Sequence, residues 1–342
     1  MRTRPLVRPG PALVAAAAGC ALLAGCASAT GTSTSAAPSR PPAGDTAATE
    51  AYPLTLDNCG VEVTLTGAPE RIVAIKSSAI EMLLALGVGD RIVGTGFPDG
   101  PPPAELADAA AELPQLSDKV PAAEVVLAAE PDLVVAGWES NLTAEGAGDR
   151  ATFADLGVAT YVAPSACKDP AYQPDRLTFE EVFAEITQMG DVLGVPDAAA
   201  DLVEAQRADL AALEPDGRGL TALWYSSGDD IPYVGAGIGA PQMILDAVGV
   251  TNIAAGLADT WSPFSWEQVA QDDPDLIVLV DAAWNSAEQK RERLAANPAT
   301  AHLTAVLEGR YLVVPFAATE AGVRNVEAAV DLAGQVAALD LG

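Results

Sequence analysis

Short apolar runs alternate with amphipathic stretches over most of the chain. Residues 71–75, 91–95 and 133–136 are brief runs dominated by Ile, Val and Leu, the pattern of strands covered on both faces. Between them, residues 79–86 and 121–129 keep helical spacing, and Gly87 closes the first of these helices. The second half repeats the style, with strands predicted over 220–225, 276–280 and 311–314 and helices over 242–248 and 320–339. Strands alternating with helices predict βαβ units and mostly parallel sheets, an α/β fold.

An internal echo sharpens this picture. Glu124-Val-Val-Leu-Ala-Ala-Glu-Pro131-Asp-Leu-Val-Val matches Glu267-Gln-Val-Ala-Gln-Asp-Asp-Pro274-Asp-Leu-Ile-Val, with Glu and Pro seven apart in both. Self-similarity at so long a spacing predicts two related Rossmann-like lobes rather than a solenoid. Between them lies a helical tract. Thr178 and Glu181 form a capping box, and Val182, Phe183, Ile186, Met189 and Leu193 recur at helical spacing before Gly194 and Pro196 interrupt. A second helix follows over 197–213. The predicted organisation is an N-terminal lobe over 51–176, a linking helical segment over 177–214 and a C-terminal lobe over 215–342. A packed helical hinge permits only small lobe movements.

Ahead of the lobes stand Arg2, Arg4 and Arg8, an apolar run over 12–23 and then Leu23-Ala24-Gly25-Cys26. A basic head, a short apolar stretch and small residues define a secretory signal, here 1–25, and the run is too short to span a membrane. Leu-Ala-Gly-Cys resembles the bacterial lipobox, which makes Cys26 the lipidated first residue of the mature chain. Residues 26–50, rich in Ala, Ser, Thr, Gly and Pro, read as a flexible tether. Cys59 and Cys167 remain: bridged in an oxidising compartment, or two buried thiols.

Composition removes whole classes of function. The chain carries a formal charge of −29, and loss of residues 1–25 leaves 15 basic against 47 acidic residues, or −32. So acidic a protein gains no counterion-release attraction to nucleic acid. His302 is the one histidine, so a three-histidine zinc centre cannot form and a Ser-His-Asp triad has a single candidate base, without a Gly-x-Ser-x-Gly elbow. Gly235-Ala-Gly237-Ile-Gly239 lacks the spacing and Lys of a phosphate loop and reads as a flexible substrate loop. No cofactor and no resident metal are expected. With 47 acids a carboxylate-pair hydrolase stays open as the alternative class.

Arg71-Ile-Val, the Ser-x-x-Glu helix ending in Leu-Gly-x-Gly-Asp-Arg-Ile-Val-Gly94, Glu124 with Pro131-Asp-Leu-Val, Trp266-Glu-x-Val with Pro274-Asp-Leu-Ile, and Gly309-Arg-Tyr-x-Val-Val-Pro315 together resemble a known family. It is the class III, helical-backbone substrate-binding proteins of ABC importers for ferric siderophores, haem and cobalamin. The resemblance runs from about residue 53 to the C-terminus. It implies a monomeric, membrane-anchored receptor that passes a small molecule to a permease dimer driven by a cytoplasmic ATPase. It also implies that Glu124 and Glu267, one on each lobe, dock onto arginines of the permease.

Ligands of such folds sit against loops at the carboxyl ends of the parallel strands. Those loops supply Lys76, Ser77, Ser78, Phe97, Trp138, Glu139, Asn141, Tyr225, Ser226 and Trp284, together with the stretch 316–324, and Trp261 lies in a loop nearby. Trp138, Trp261 and Trp284 in loops favour a planar ligand, whereas Trp224 and Trp266 read as core. Lys76 before a helix, followed by two serines, is a candidate anion site, with Arg150 and Arg324 as further cations. Residues 76–78, 136–141 and 161–167 resemble an actinobacterial subgroup proposed to import a deazaflavin coenzyme (F-420) precursor, a planar ring with a phosphodiester. A ferric siderophore or a corrinoid is the second reading.

Overall fold

A computed structural model describes residues 52–340, so the signal sequence, Cys26 and nearly all of the tether lie outside the described residues. The chain enters through a hairpin of β1 (Leu54–Asn58) and β2 (Val61–Leu65). It then builds a five-stranded sheet from β3 (Ile72–Ile75), β4 (Ile92–Gly96), β5 (Gln115–Ser117), β6 (Leu133–Ala136) and β7 (Ala159–Val162). The order is β5-β4-β3-β6-β7 and every pairing is parallel. Helices α1 (Ser77–Ala85), α2 (Ala107–Ala111), α3 (Ala123–Ala128) and α4 (Arg150–Asp155) make the connections. All four residues of β3 and of β6 are buried, because helices cover both faces of the sheet.

Two helices link the lobes, as the break at Gly194 and Pro196 predicts: α5 (Phe179–Leu193) and α6 (Pro196–Ala212). The capping box starts α5: the Thr178 hydroxyl accepts from Glu181 N, and Thr178 N donates to the Glu181 carboxylate at 2.7 Å. Gly194, at φ 70°, ends α5 in the left-handed region and Pro196 opens α6. The pair folds back on itself. A Cβ on Gly190 would stand 2.4 Å from that of Ala199, so glycine is what lets the helices pack. Val182, Phe183, Ile186, Met189, Val192 and Leu193 of α5 join the N-terminal core, while Gln206 of α6 donates to the carbonyl of Val323 in the other lobe.

The C-terminal lobe comprises β8 (Thr221–Ser227), β9 (Tyr233–Gly235), α7 (Ala240–Val248), β10 (Thr251–Asn252), β11 (Trp261–Pro263), α8 (Trp266–Asp272), β12 (Leu276–Asp281), α9 (Ala287–Ala296), α10 (Thr304–Leu307), β13 (Tyr311–Pro315) and α11 (Asn325–Ala337). Its sheet is parallel through β10, β8, β12 and β13, but β9 and β11 add an antiparallel edge that the hydrophobic pattern did not predict. These two strands are three residues long and polar in part, too short to show a period.

The internal echo has a structural cause in each lobe. Helices α3 and α8 each end in a left-handed residue, Glu130 at φ 49° and Asp273 at φ 38°, followed by Pro and Asp. Asp132 then accepts from the backbone N of Glu70 and Arg71 at 2.8 and 3.0 Å, and Asp275 from Thr221 N at 2.8 Å. Each carboxylate clasps the entry to the neighbouring central strand, β3 or β8.

Candidate ligand-binding cleft

Between the carboxyl ends of the two sheets lies a cavity of about 550 Å³, within the span of about 300–1,000 Å³ usual for small-molecule sites. Both lobes line it. The N-terminal lobe supplies Trp138, Glu139 and Ser140 after β6 and the stretch 165–177 after β7. The C-terminal lobe supplies Ser226 and Ser227 after β8, Tyr233, residues 259–261, Trp284 and residues 316–321. Leu177 N donates to the carbonyl of Ile238 at 2.8 Å, closing the cleft at the root of the helical link.

Phe316 is the hub of an aromatic cluster. Trp261 lies nearly parallel to it, with centroids 6.4 Å apart and planes at 9°, while Trp138 and Trp284 meet it edge to face at 6.3 and 5.6 Å. Trp284 is 55% exposed at the mouth, a costly placement for an indole unless something covers it. The Trp138 indole N–H donates to Glu320 Oε2 at 2.6 Å, a bond from one lobe to the other. The second oxygen of Glu320 is buried with no hydrogen-bond partner. Burial pushes the Glu320 carboxyl above its ordinary range, while Lys76 and the indole N–H pull it back.

Lys76 is not free to meet an anion. Its side chain is fully buried and its ammonium pairs with Asp99, which also accepts from Ser77 N at the start of α1 and donates its own N–H to Ser77 Oγ. The anion expected at this helix terminus is thus a carboxylate of the chain itself. The ammonium also lies 3.7 Å from the Trp138 ring centroid, 4.6 Å from that of Phe97 and 4.8 Å from that of Phe316. Three rings and one carboxylate cage it beneath the cleft floor. Lys76 holds φ 86° and ψ 148°, and Phe97 φ 55°, at the ends of adjacent strands. Such conformations cost about 1–3 kcal/mol each without glycine and persist where packing enforces them.

The other expected site residues divide. Trp138, Glu139, Ser226, Trp261 and Trp284 line the cavity. Phe97 packs behind Trp138, and Ser78 faces a separate small void. Asn141 caps the turn that presents Trp138. Tyr225 is fully buried against Trp266, its hydroxyl donating to the carbonyl of Gly228. Arg150 is a buried strut: it donates to the backbone carbonyl and side chain of Asn58 and to Thr160, bracing the hairpin against β7. Arg324 faces away from the cavity and pairs across the lobes with Glu81, whose carboxyl burial lifts to about 7. All three expected cations are therefore occupied elsewhere, and the cavity lining carries Glu139, Asp259 and Glu320 against the single, exposed Lys168.

Cys59 and Cys167 are bridged, with Cα atoms 5.3 Å apart, which ties the β1–β2 turn to the stretch that walls the cleft. Glu124 and Glu267 are exposed in the first turns of α3 and α8, equivalent positions in the two lobes. Phe316 and Glu320 belong to a loop that strand ends point to, but Asp259, Gln173 and Lys168 follow no predicted strand and had no sequence signal.

Two α/β/α lobes, a stiff helical link and an aromatic groove between strand ends define a receptor that captures a small molecule. Residues 72–318 match the periplasmic binding protein family, and the chain belongs to it. A curated relative is the uncharacterized ABC transporter substrate-binding lipoprotein YvrC of Bacillus subtilis (strain 168), 26% identical over 296 residues, or 84% of this chain and 87% of the relative. Among solved structures, a periplasmic binding protein from Veillonella parvula has TM-score 0.74 at 26% identity, covering 84% of this chain and 98% of that one. An ABC-type Fe3+-hydroxamate transport system protein from Saccharomonospora viridis has TM-score 0.72 at 27% identity, covering 84% and 100%.

Proposed function

We propose that this protein is the extracytoplasmic, lipid-anchored receptor of an ABC importer, capturing a planar conjugated molecule and delivering it to a permease. The observation that carries this is the aromatic clamp of Trp138, Trp261 and Trp284 around Phe316, set in a cleft of about 550 Å³ shared by both lobes. The likeness to a substrate-binding lipoprotein and to a ferric-hydroxamate transport protein supports the transport half, and Cys26 supplies the anchor. Confinement at the membrane raises the receptor's effective concentration at its permease.

A deazaflavin precursor fits as a flat ring against the tryptophans, with its phosphodiester left at the mouth near Lys168. A ferric siderophore or corrinoid is the alternative cargo. Native mass spectrometry of protein purified without refolding weighs the ligand. A deazaflavin mass with yellow fluorescence supports the first reading, and an iron chelate or corrinoid mass replaces it.

Glu124 and Glu267 serve as the docking carboxylates, each projecting from its lobe into solvent. In E124A/E267A, ligand binding stays at the wild-type level and uptake by cells is lost. Normal uptake by this variant removes the docking assignment.

A further inference from the structure

The three indoles of the cleft are held in different ways. Trp138 is fixed by its bond to Glu320, and Trp261 by the pairing of β11 with β9. Trp284 belongs to no strand or helix. It stands exposed in the turn between β12 and α9, with its ring edge to face with Phe316. The turn is tight, Asn285 N donating to the carbonyl of Ala282 at 3.0 Å. A mobile indole at that place would lose its freedom each time cargo bound, and affinity would fall accordingly.

Lys290 lies directly behind this turn. It is the fourth residue of α9, and a long helical side chain lies back over the turn N-terminal to its own Cα. The residue is fully buried, and Nζ donates to the carbonyl of Val280 at 2.5 Å and to that of Asn285 at 2.6 Å. Strand β12 runs on through Val280 and Asp281 although its pairing with β8 stops at Leu279. The ammonium thus ties the end of the strand to the far side of the turn, with Trp284 between the two anchor points. The placement is unfavourable on two counts. Burial lowers the pKa of Lys290 from 10.5 to about 8, and the ammonium points past the positive end of the helix dipole. Asp281 favours the cation and Arg293, on the same helix, opposes it. An apolar side chain would avoid both costs but tie neither carbonyl.

We propose that Lys290 is a positioning residue for ligand capture: by bonding the carbonyls on either side of the Trp284 turn, it holds that indole ready before cargo arrives. It touches no ligand itself. This inference rests on capture of a planar molecule and adds how the exposed arm of the aromatic clamp is kept in place.

Acridone, a flat uncharged tricycle, is the probe, and the anisotropy of its own emission reads its binding to the disulfide-intact protein. W284A is expected to bind it about tenfold more weakly than the wild type. K290M is expected to bind it about three- to tenfold more weakly, because ordering one large side chain moves into the binding step. In W284A/K290M the second change adds nothing, since Lys290 acts only through the indole. A residue that merely stabilised the lobe would weaken binding equally with and without Trp284.

Losses that add in the double variant overturn the assignment of Lys290, as does a W284A protein that binds like the wild type. Amide exchange at Asn285, followed by NMR in the free wild type, tests the same point without a substitution, so a misfolded K290M does not shield it. A protected N–H is expected there, and exchange at the unprotected rate overturns a turn held ready in advance. All of these outcomes leave planar capture standing. Failure of acridone to bind the wild type overturns planar capture and this inference with it.

Discussion

Glu185 gives the sharpest quantitative expectation. It sits on α5 and is 8% exposed, beside a void of about 10 Å³ lined also by Ser78, Tyr161 and Ala321. Burial alone pushes its carboxyl from the ordinary 4.5 up to about 8. Between those values the folded protein keeps a proton that the unfolded chain has released, so this group's contribution to stability is fully present below pH 4.5 and is lost as pH rises towards 8. At about 1.36 kcal/mol per pH unit across that window, the loss reaches about 5 kcal/mol as a ceiling. Glu81, lifted to about 7, adds a second fall over a narrower range. The substitution E185Q keeps the volume and removes the proton. Urea unfolding followed by circular dichroism at pH 5, 6, 7 and 8 is the assay. The variant is expected to lose less stability than the wild type across this range and to overtake it at the alkaline end. Parallel pH dependences for the two proteins would refute the account of Glu185 as a neutral buried acid.

Two further perturbations address the supports of the cleft. K76M leaves the buried Asp99 without its cation and is expected to lower stability by about 3–5 kcal/mol, while K76M/D99L recovers most of that in thermal melts; a single variant as stable as the wild type contradicts a required pair. C59S/C167S opens a loop with a sequence separation of 108 residues, which chain entropy values at about 5 kcal/mol. The same loss is expected when the wild type is reduced by dithiothreitol, and an unchanged melting temperature on reduction rules it out.

Strands covered on both faces were the most legible part of the fold, because β3, β6, β8, β12 and β13 must read as apolar runs wherever helices sandwich a sheet. The helical link was equally plain in its capping box and in Gly194-Val195-Pro196. Less legible were the β1–β2 hairpin, whose period-two alternation in Leu54-Thr-Leu and Val61-Glu-Val-Thr-Leu65 spans only five residues a strand, and the edge strands β9 and β11, too short to show a period. At the cleft, strand ends correctly locate loops but say nothing about where a long side chain turns. Lys76, Arg150 and Arg324 all follow or precede elements at suggestive places, yet each finds a partner distant in sequence: Asp99, Asn58 and Glu81 respectively. Pairing over 23, 92 and 243 residues leaves no local trace. Trp138 and Trp284 were visible because tryptophan is rare and its position after a strand is itself the signal, whereas Trp261, expected in a loop, opens the edge strand β11.

The β1–β2 hairpin has a mechanical consequence. Tyr52 donates to the carbonyl of Val192 on α5, Asn58 exchanges two hydrogen bonds with the backbone of Val162 on β7, and the next residue is covalently joined to Cys167. A pull applied at the leading end of the lobes is therefore delivered first to the long link between them and then, through a covalent stop, to the edge of the sheet. The hairpin can peel no further than Cys59 before the load passes to the wall of the cleft, so tension applied at Tyr52 reaches that wall through a covalent bond.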